Sequence, residues 1–446
     1  MTPPVASVAA PPSAAPTPRH LRLAPSPRTA QATVAILGLG YVGLPTALAL
    51  ADAGHDVLGV DISARRLEAI RQGAVDLLES DHERLARHID GPLMVTDRPA
   101  VLADADAVLV CVPTPVDANH DPDLGPLRGA VRMVLDHVRE GQLLVLTSTS
   151  YVGTTKEMLV EPLLEMGLTP GEDVFVAFAP ERIDPGNVVH EQAGVPRVVG
   201  GVTDACTERA AELLGRISPV HAVSAPEVAE LTKLHENTFR AVNIAYSYEL
   251  AHAAQHFGID PVEVIDAAST KPYGFMRFMP SAGVGGHCIP CDPHYLLKPL
   301  QRDGGQAPII EAAMDAIARR PGRIVGRALG QLREDGIATA AARILVVGAA
   351  YKPGVADMRE SPALDIIVGL QAAGAHVDYH DALVEEIEGV DGRMTSVEDP
   401  NAADYDLVVL CTVHPGTEPF WKDGAQRLLD CTYQAPAPEG ARRLLP

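Results

Sequence analysis

ATVAILGLGYVGLPTALALADAGHDVLGVDIS, residues 32–63, decides how this chain folds. An apolar run of strand length enters a glycine-rich turn, an alanine- and leucine-rich helix follows, and a second apolar run closes on Asp61. Gly38, Gly40 and Gly43 make GxGxxG. Each glycine serves a physical purpose. Gly38 permits the tight turn, Gly40 lets a pyrophosphate approach the backbone, and Gly43 lets helix pack on strand. Asp61 stands where an acid accepts from ribose hydroxyls, which favours NAD over NADP. The bland alternative, a turn with close packing and no ligand, explains the glycines but not the acid.

Outward from this unit the alternation continues. ADAVLVCVPTP (105–115) and QLLVLTSTS (142–150) are apolar runs that end in Thr, Ser and Pro, as parallel strands do where they open onto a ligand crevice. Thr114 and Thr149 are expected there, facing the cofactor, with turn and cap hydroxyls as the alternative. PEVAELTKLHENTFRAVNIAYSYELAHAAQH (226–256) has no internal Gly or Pro and an apolar rhythm through Val228, Leu231, Leu234 and Phe239, so it predicts one long helix. Lys233 and Asn237 share a face of it, and Glu236 with Arg240 reads as a surface ion pair. A second strand–turn–helix–strand unit spans 342–381 and ends on Asp381; DLVVLC (406–411) and RLLDC (427–431) extend it. It lacks GxGxxG, so it suits a nucleotide of another type. Lys352 and Arg359 in its turn would meet a diphosphate, unless they are simply exposed. The fold class is therefore α/β: two Rossmann-like doubly wound domains joined by a long central helix in a small all-α domain. The expected limits are a tail at 1–30 and domains at 31–220, 221–322 and 323–446.

Composition narrows the functional classes. A chain of 446 residues with a formal charge of −22 repels polyanions, which argues against general nucleic-acid or anionic-membrane binding. The first 30 residues are rich in Pro, Ala and Ser without the apolar core of a signal peptide, and read as a disordered tail. No run approaches the roughly 18 apolar residues of a membrane span, so a cytoplasmic protein is expected. Cys111, Cys206, Cys288, Cys291, Cys411 and Cys431 are scattered and read as free thiols.

GGHCIPCDPH (285–294) permits three chemistries: half of a zinc site, a CxxC redox pair, or one nucleophilic thiolate with an incidental neighbour. Zinc needs four ligands and only Cys288 and Cys291 lie close in sequence, so no metal is expected. Cys288 after GVGG, and Cys291 before Asp-Pro, suit a loop, unlike the helix start of a redox CxxC.

In this order, GLGYVGLP (38–45), CVPTP (111–115), PERIDPGN (180–187), KLHENTFRAVNIA (233–245), GVGGHCIPCDPHYL (283–296) and AYKPGVADMRESPA (350–363) resemble the UDP-glucose/GDP-mannose dehydrogenase superfamily over roughly residues 32–434. The resemblance implies NAD-dependent, four-electron oxidation of the 6-hydroxymethyl group of a nucleotide sugar, with a cysteine thiohemiacetal and thioester on the way to the uronic acid. It puts the nucleophile at Cys288, with Lys233, Asn237 and Asp292 around it. Lys233 is expected to favour the thiolate and Asn237 to donate to an oxyanion; Glu181 matches a base for thioester hydrolysis and Thr149 a hydroxyl at the reacting centre. Tyr41 and Val42 fall against the pyrophosphate, Asp61 and Arg66 near the adenosine ribose, and Thr114 along the dinucleotide. Arg359 reaches in from the second lobe, and Lys352 matches a substrate-contacting lysine. A homodimer through the central helix is implied.

Cysteine loops of relatives acting on UDP-glucose tend to read GGSCFPKD. The HCIP form, with PERIDPGN and TKPYGFM, looks like the branch acting on UDP-N-acetylhexosamines, and within it the DPGN string and TKPYGF favour UDP-N-acetylglucosamine over the mannosamine epimer, with UDP-glucose as a further alternative. PSAGVGG (280–286) replaces the usual PGPGVGG at Ser281 and Ala282, Ile317 stands at the place of an asparagine, Arg320 precedes Pro321, and His294 replaces Tyr or Phe. Two rivals of other classes remain: a CxxC redox or metal protein on a borrowed scaffold, and a non-catalytic UDP-sugar sensor.

Overall fold

Short β-branched and leucine-rich runs form the strands of the first lobe: β1 (Thr33–Leu37), β2 (Asp56–Val60), β3 (Leu93–Thr96), β4 (Ala107–Val110), β5 (Leu143–Leu146), β6 (Phe175–Phe178), β7 (Arg197–Gly201) and β8 (Val220–Val223). In the computed structural model, which describes residues 32–75, 79–117, 119–182, 192–436 and 442–446, they lie in the order β3-β2-β1-β4-β5-β6-β7-β8. Only β6 and β7 pair antiparallel. Val34 and Ile36 pack into the core on one face of the sheet while Ala35 and Leu37 pack into the core on the other. Burial on both faces is why these strands read as continuous apolar runs. The order reverses between β1 and β4, the switch point where such a sheet opens a crevice. The segment 1–30 and Ile183 to Asn187 of PERIDPGN lie outside the described residues.

The second lobe repeats the plan. β9 (Arg343–Val347), β10 (His376–His380), β13 (Leu407–Leu410), β14 (Arg427–Asp430) and β15 (Arg442–Leu444) form a parallel sheet in the order β10-β9-β13-β14-β15, beside a hairpin of β11 (Glu386–Gly389) and β12 (Gly392–Thr395). Asp381, at the end of β10, accepts from the amides of Ala349 and Ala350 at 2.7 and 3.0 Å.

Between the lobes runs the helix Pro226–Phe257, stopped by Gly258 in a left-handed conformation. The helices Cys288–Arg302 and Pro308–Glu334 pack on it. Its existence follows from the sequence, but its buried face does not. Val228, Leu231 and Phe239 are 42%, 44% and 42% exposed, and of the four residues that set the rhythm only Leu234 is buried. The inward face consists of alanines such as Ala229, Ala241 and Ala245 with the polar Glu230, Lys233 and Asn237. Alanines admit close neighbours, and the polar groups serve the site, so hydrophobicity marks the wrong side. Glu236 also departs from expectation: a fork from Arg182 takes it at 2.6 Å, and Arg240 stays exposed.

Glu230 locks this helix to the first lobe. Its buried carboxyl accepts from the Gly153 and Thr155 amides at 2.6 and 2.9 Å and from the Thr155 hydroxyl at 2.7 Å. Removing one acceptor group would leave three donors unsatisfied, each costing about 1–3 kcal/mol when buried, with partial relief by water. Glu230→Ala should therefore lower the unfolding free energy by roughly 3 kcal/mol in urea titrations, and a loss below about 1 kcal/mol would contradict this role.

Candidate active site

At the nucleotide end, Gly38 has φ +95°, and a side chain there would put its first carbon 2.6 Å from the Cys111 carbonyl oxygen. At Gly43 that carbon would lie 1.8 Å from the Gly38 oxygen, whereas Gly40 faces open space. Two glycines are thus required by close contact, Gly38 with Cys111 at the end of β4 and Gly43 within the turn, and the third leaves bare backbone for a pyrophosphate, so the turn fits NAD. Val42 caps the helix Gly43–Asp52, and Tyr41 is partly exposed. Asp61 accepts from the Leu39 and Ser63 amides, both at 2.9 Å, while Arg66 Nε donates to the Leu39 carbonyl at 2.8 Å. The two expected ribose neighbours therefore hold the turn as well.

Thr114 is buried and hydrogen-bonded to Tyr295, whose hydroxyl donates to the Pro115 oxygen at 3.1 Å. It ties the end of the CVPTP segment to the cysteine helix, where the sequence placed it along the cofactor. Thr149 is half-buried. From the second lobe, the Arg359 guanidinium lies 4.7 Å over the Tyr41 ring and forks onto Asp357, which brings that lobe onto the glycine turn. Lys352 is half-buried in the turn after β9.

At the reacting end the loop expectation is overturned: Cys288 is the first residue of the helix Cys288–Arg302. Pro290 sits in the first turn, where a missing N–H costs nothing. Pro293 and Pro299 lie inside the helix, and buried Ile289, Tyr295 and Leu297 hold it against its neighbours despite them. Of the six cysteines only Cys288 is exposed. Although the residue reaches solvent, desolvation by the protein packed around it and the nearby Asp292 push the thiol up, against the opposing pull of Lys233, Arg240 and Arg359. The expected thiolate bias of Lys233 is present but outweighed. Cys291, one turn into the helix, is buried and pushed up to about 12 by burial, Asp292 and Glu360. A helix start therefore does not restore the dithiol reading, because the second sulfur stays protonated and enclosed.

Asp292 is buried, with one oxygen taking a short hydrogen bond from the Asn237 amide and the other without a partner among the described residues. Burial pushes it up to about 6, against Lys233 and the Asn237 bond. Asn237 thus holds Asp292 through one N–H of an amide that carries two, beside the role at an oxyanion that the resemblance implies. Glu181 is buried and ion-paired with Arg197, itself enclosed, and accepts from the Arg182 amide at 2.7 Å. Sequence reading missed Arg197, Arg182 and Tyr295. The one signal for Arg197 was a charge at the head of the apolar run RVVGG.

The unusual residues find partners. Ile317 joins an apolar cluster with Ile289 and Leu297, and His294 stacks on His120 at 4.6 Å. No group of three or more His, Cys, Asp or Glu among the described residues is placed to hold a metal, and no described helix is long and apolar enough to cross a membrane.

Three family models match in series: the UDP-glucose/GDP-mannose dehydrogenase family NAD binding domain over 32–218, central domain over 227–317 and UDP binding domain over 345–432. A UDP-N-acetyl-D-mannosamine dehydrogenase of Pyrococcus horikoshii is 36% identical over 384 residues, 82% of this chain and 89% of that protein. A UDP-N-acetyl-D-glucosamine 6-dehydrogenase of Pseudomonas aeruginosa is 34% identical over 386 residues, 85% of this chain and 90% of that protein. The solved structure of the Pyrococcus horikoshii UDP-D-ManNAc dehydrogenase superposes with a TM-score of 0.85 at 32% identity, covering 93% of this chain and 98% of that one.

Proposed function

Since the chain belongs to the UDP-glucose/GDP-mannose dehydrogenase family and is an NAD-dependent UDP-sugar dehydrogenase, we propose that it oxidises the 6-hydroxymethyl group of a UDP-N-acetylhexosamine to the uronic acid, with UDP-N-acetylglucosamine as substrate. The observation that carries the chemistry is one exposed thiol, Cys288, at a helix start with Lys233, Asn237 and Asp292 packed beside it. The N-acetylhexosamine branch rests on the HCIP, PERIDPGN and TKPYGFM motifs, and the epimer on the DPGN string and TKPYGF. Relatives named for the mannosamine and glucosamine sugars match at 36% and 34%, which favours neither strongly, so UDP-N-acetylmannosamine is the second reading.

Bound on the glycine turn by Gly38, Gly40, Tyr41, Val42 and Gly43, with Asp61, Arg66, Thr114 and Arg359 around it, NAD would take up the two electrons of each oxidation. Cys288 attacks the aldehyde carbon left by the first oxidation and holds it as a thiohemiacetal, so the reactive aldehyde does not escape. After the second oxidation the bond is a thioester, which water cleaves to release the carboxylate and restore the thiol. Lys233 stabilises the oxyanion of each tetrahedral state. Asp292, ionised above about pH 6, accepts the proton that leaves Cys288. Glu181 acts on the hydrolytic water, Thr149 positions it, and Lys352 meets the UDP-sugar.

A panel of UDP-N-acetylglucosamine, UDP-N-acetylmannosamine, UDP-glucose and GDP-mannose, with NADH counted and the acid identified, tests the proposal. Two NADH per UDP-N-acetylglucosamine is the expected result, and turnover of UDP-glucose alone would sink it. Three domains at 31–220, 221–322 and 323–446 and a cytoplasmic location, which suits six free thiols, belong to the same reading. So does a homodimer through the long helix, supported by the exposed Val228, Leu231 and Phe239. Leu231→Asp should shift the protein to monomer in light scattering, and an unchanged mass would refute that interface.

A further inference from the structure

We propose that Arg320 is a positioning residue that holds the loop 280–286 between the central helices and the second lobe, and so sets where Cys288 stands. The proposal rests on Cys288 as nucleophile. Arg320 is 3% exposed and, among the described residues, has no carboxylate partner. Its contacts run in three directions. Nε donates to the Ser281 carbonyl at 3.0 Å; Nη2 donates to the Tyr433 hydroxyl of the second lobe at 2.8 Å; and the guanidinium lies 4.8 Å over the Tyr248 ring of the long helix. Tyr433 in turn donates to the Pro446 backbone oxygen at 2.7 Å. Burying a guanidinium without a counter-charge is costly, and what it gives in return is a rigid fork that fixes several acceptors at once.

The loop it grips has little freedom elsewhere. The Ser281 hydroxyl donates to the Gly283 oxygen at 2.7 Å and is shared with the Tyr248 hydroxyl at 3.0 Å. Gly283 lies against Pro362, and Gly285 and Gly286 against Tyr351, each so close that a side-chain carbon would sit 2.5, 2.5 and 2.9 Å from those residues. The Gly286 amide donates to the Arg359 carbonyl at 2.8 Å. From Ser281 to Gly286 the backbone is thus located by Arg320 or by the second lobe, and two residues later the helix begins at Cys288. Release at Ser281 moves the thiol relative to Lys233, Arg240 and Arg359, the cations that favour its ionisation.

Arg320→Lys reaches one acceptor of the fork, and Tyr433→Phe removes the arm to the second lobe together with the bond to Pro446. In each full-length variant, the pH dependence of Cys288 alkylation by iodoacetamide reads thiol position without substrate, with Cys288→Ser subtracting the other thiols. The expected midpoint moves up by at least about half a pH unit, while KM for NAD stays within about twofold and kcat falls several-fold. An unmoved alkylation profile in either folded variant overturns the proposal, whatever happens to turnover. If Arg320→Lys does not fold, Tyr433→Phe decides. Should Cys288→Ser itself keep full turnover, the reading of the nucleophile fails, which is a separate outcome.

Discussion

Replacing Cys288 with serine is expected to end carboxylate formation, with a loss of at least about a thousandfold in turnover to the acid. The reason is chemical. A serine hydroxyl at this position has the same cations around it but an intrinsic acidity many orders lower than a thiol. Capture of the aldehyde therefore fails, while the glycine turn and its fit to NAD are untouched. NAD titration followed by fluorescence should give wild-type affinity, and product analysis should show no uronic acid. Acid formation within tenfold of wild type would remove Cys288 from the mechanism. Cys291→Ser is the paired control. Its thiol is enclosed and pushed up to about 12, so turnover should persist, and a comparable loss would revive a dithiol mechanism.

Asp292→Asn should change activity and stability in opposite directions. Burial raises the Asp292 carboxyl from 3.8 to about 6 in the folded protein, against Lys233 and Asn237. Below about pH 4 the group is protonated folded or unfolded and contributes no pH-dependent term. Between about pH 4 and 6 the unfolded chain ionises first, so the folded state binds more protons and stability falls as pH rises. Above about pH 6 both states are ionised, and the folded one carries the full cost, a two-unit shift worth roughly 3 kcal/mol. Asparagine keeps the shape and an oxygen for the Asn237 amide without that charge. The variant should thus gain up to about 3 kcal/mol at pH 8 and little at pH 4 in urea unfolding, while turnover falls about a hundredfold or more. A variant less stable than wild type at pH 8 would mean that Lys233 compensates the buried carboxylate fully.

What could be read from residues alone differs by kind of interaction. GxGxxG, the apolar strand runs and the helix without Gly or Pro are local, so they identify themselves: close contact forces Gly43, and burial on both faces forces the runs at 34–37 and 344–347. The reacting cluster was legible as a set through the resemblance of its ordered motifs; Lys233 and Asn237 could be placed one turn apart on a readable helix, but the helix that carries Cys288 and Asp292 could not be read. Which atom serves which was not legible. Asn237 bonds Asp292, Glu236 bonds Arg182, and Thr114 bonds Tyr295, all across long sequence separations. The CxxC segment misled for a related reason: GVGG before Cys288 and Asp-Pro after Cys291 argue for a loop, and only packing of Ile289, Tyr295 and Leu297 makes the helix hold.

The sequence by itself determined two nucleotide-binding lobes, a bridging helix and the chemical groups available between them, since these follow from local backbone freedom and from the period of apolar residues. The tertiary structure alone decided which face of the bridge is buried, that Cys291 is enclosed while Cys288 is open, that Asp292 is poised near pH 6, and that Arg320 joins three parts of the molecule. Those properties depend on desolvation and on contacts between residues far apart in the chain, quantities that no spacing along it encodes.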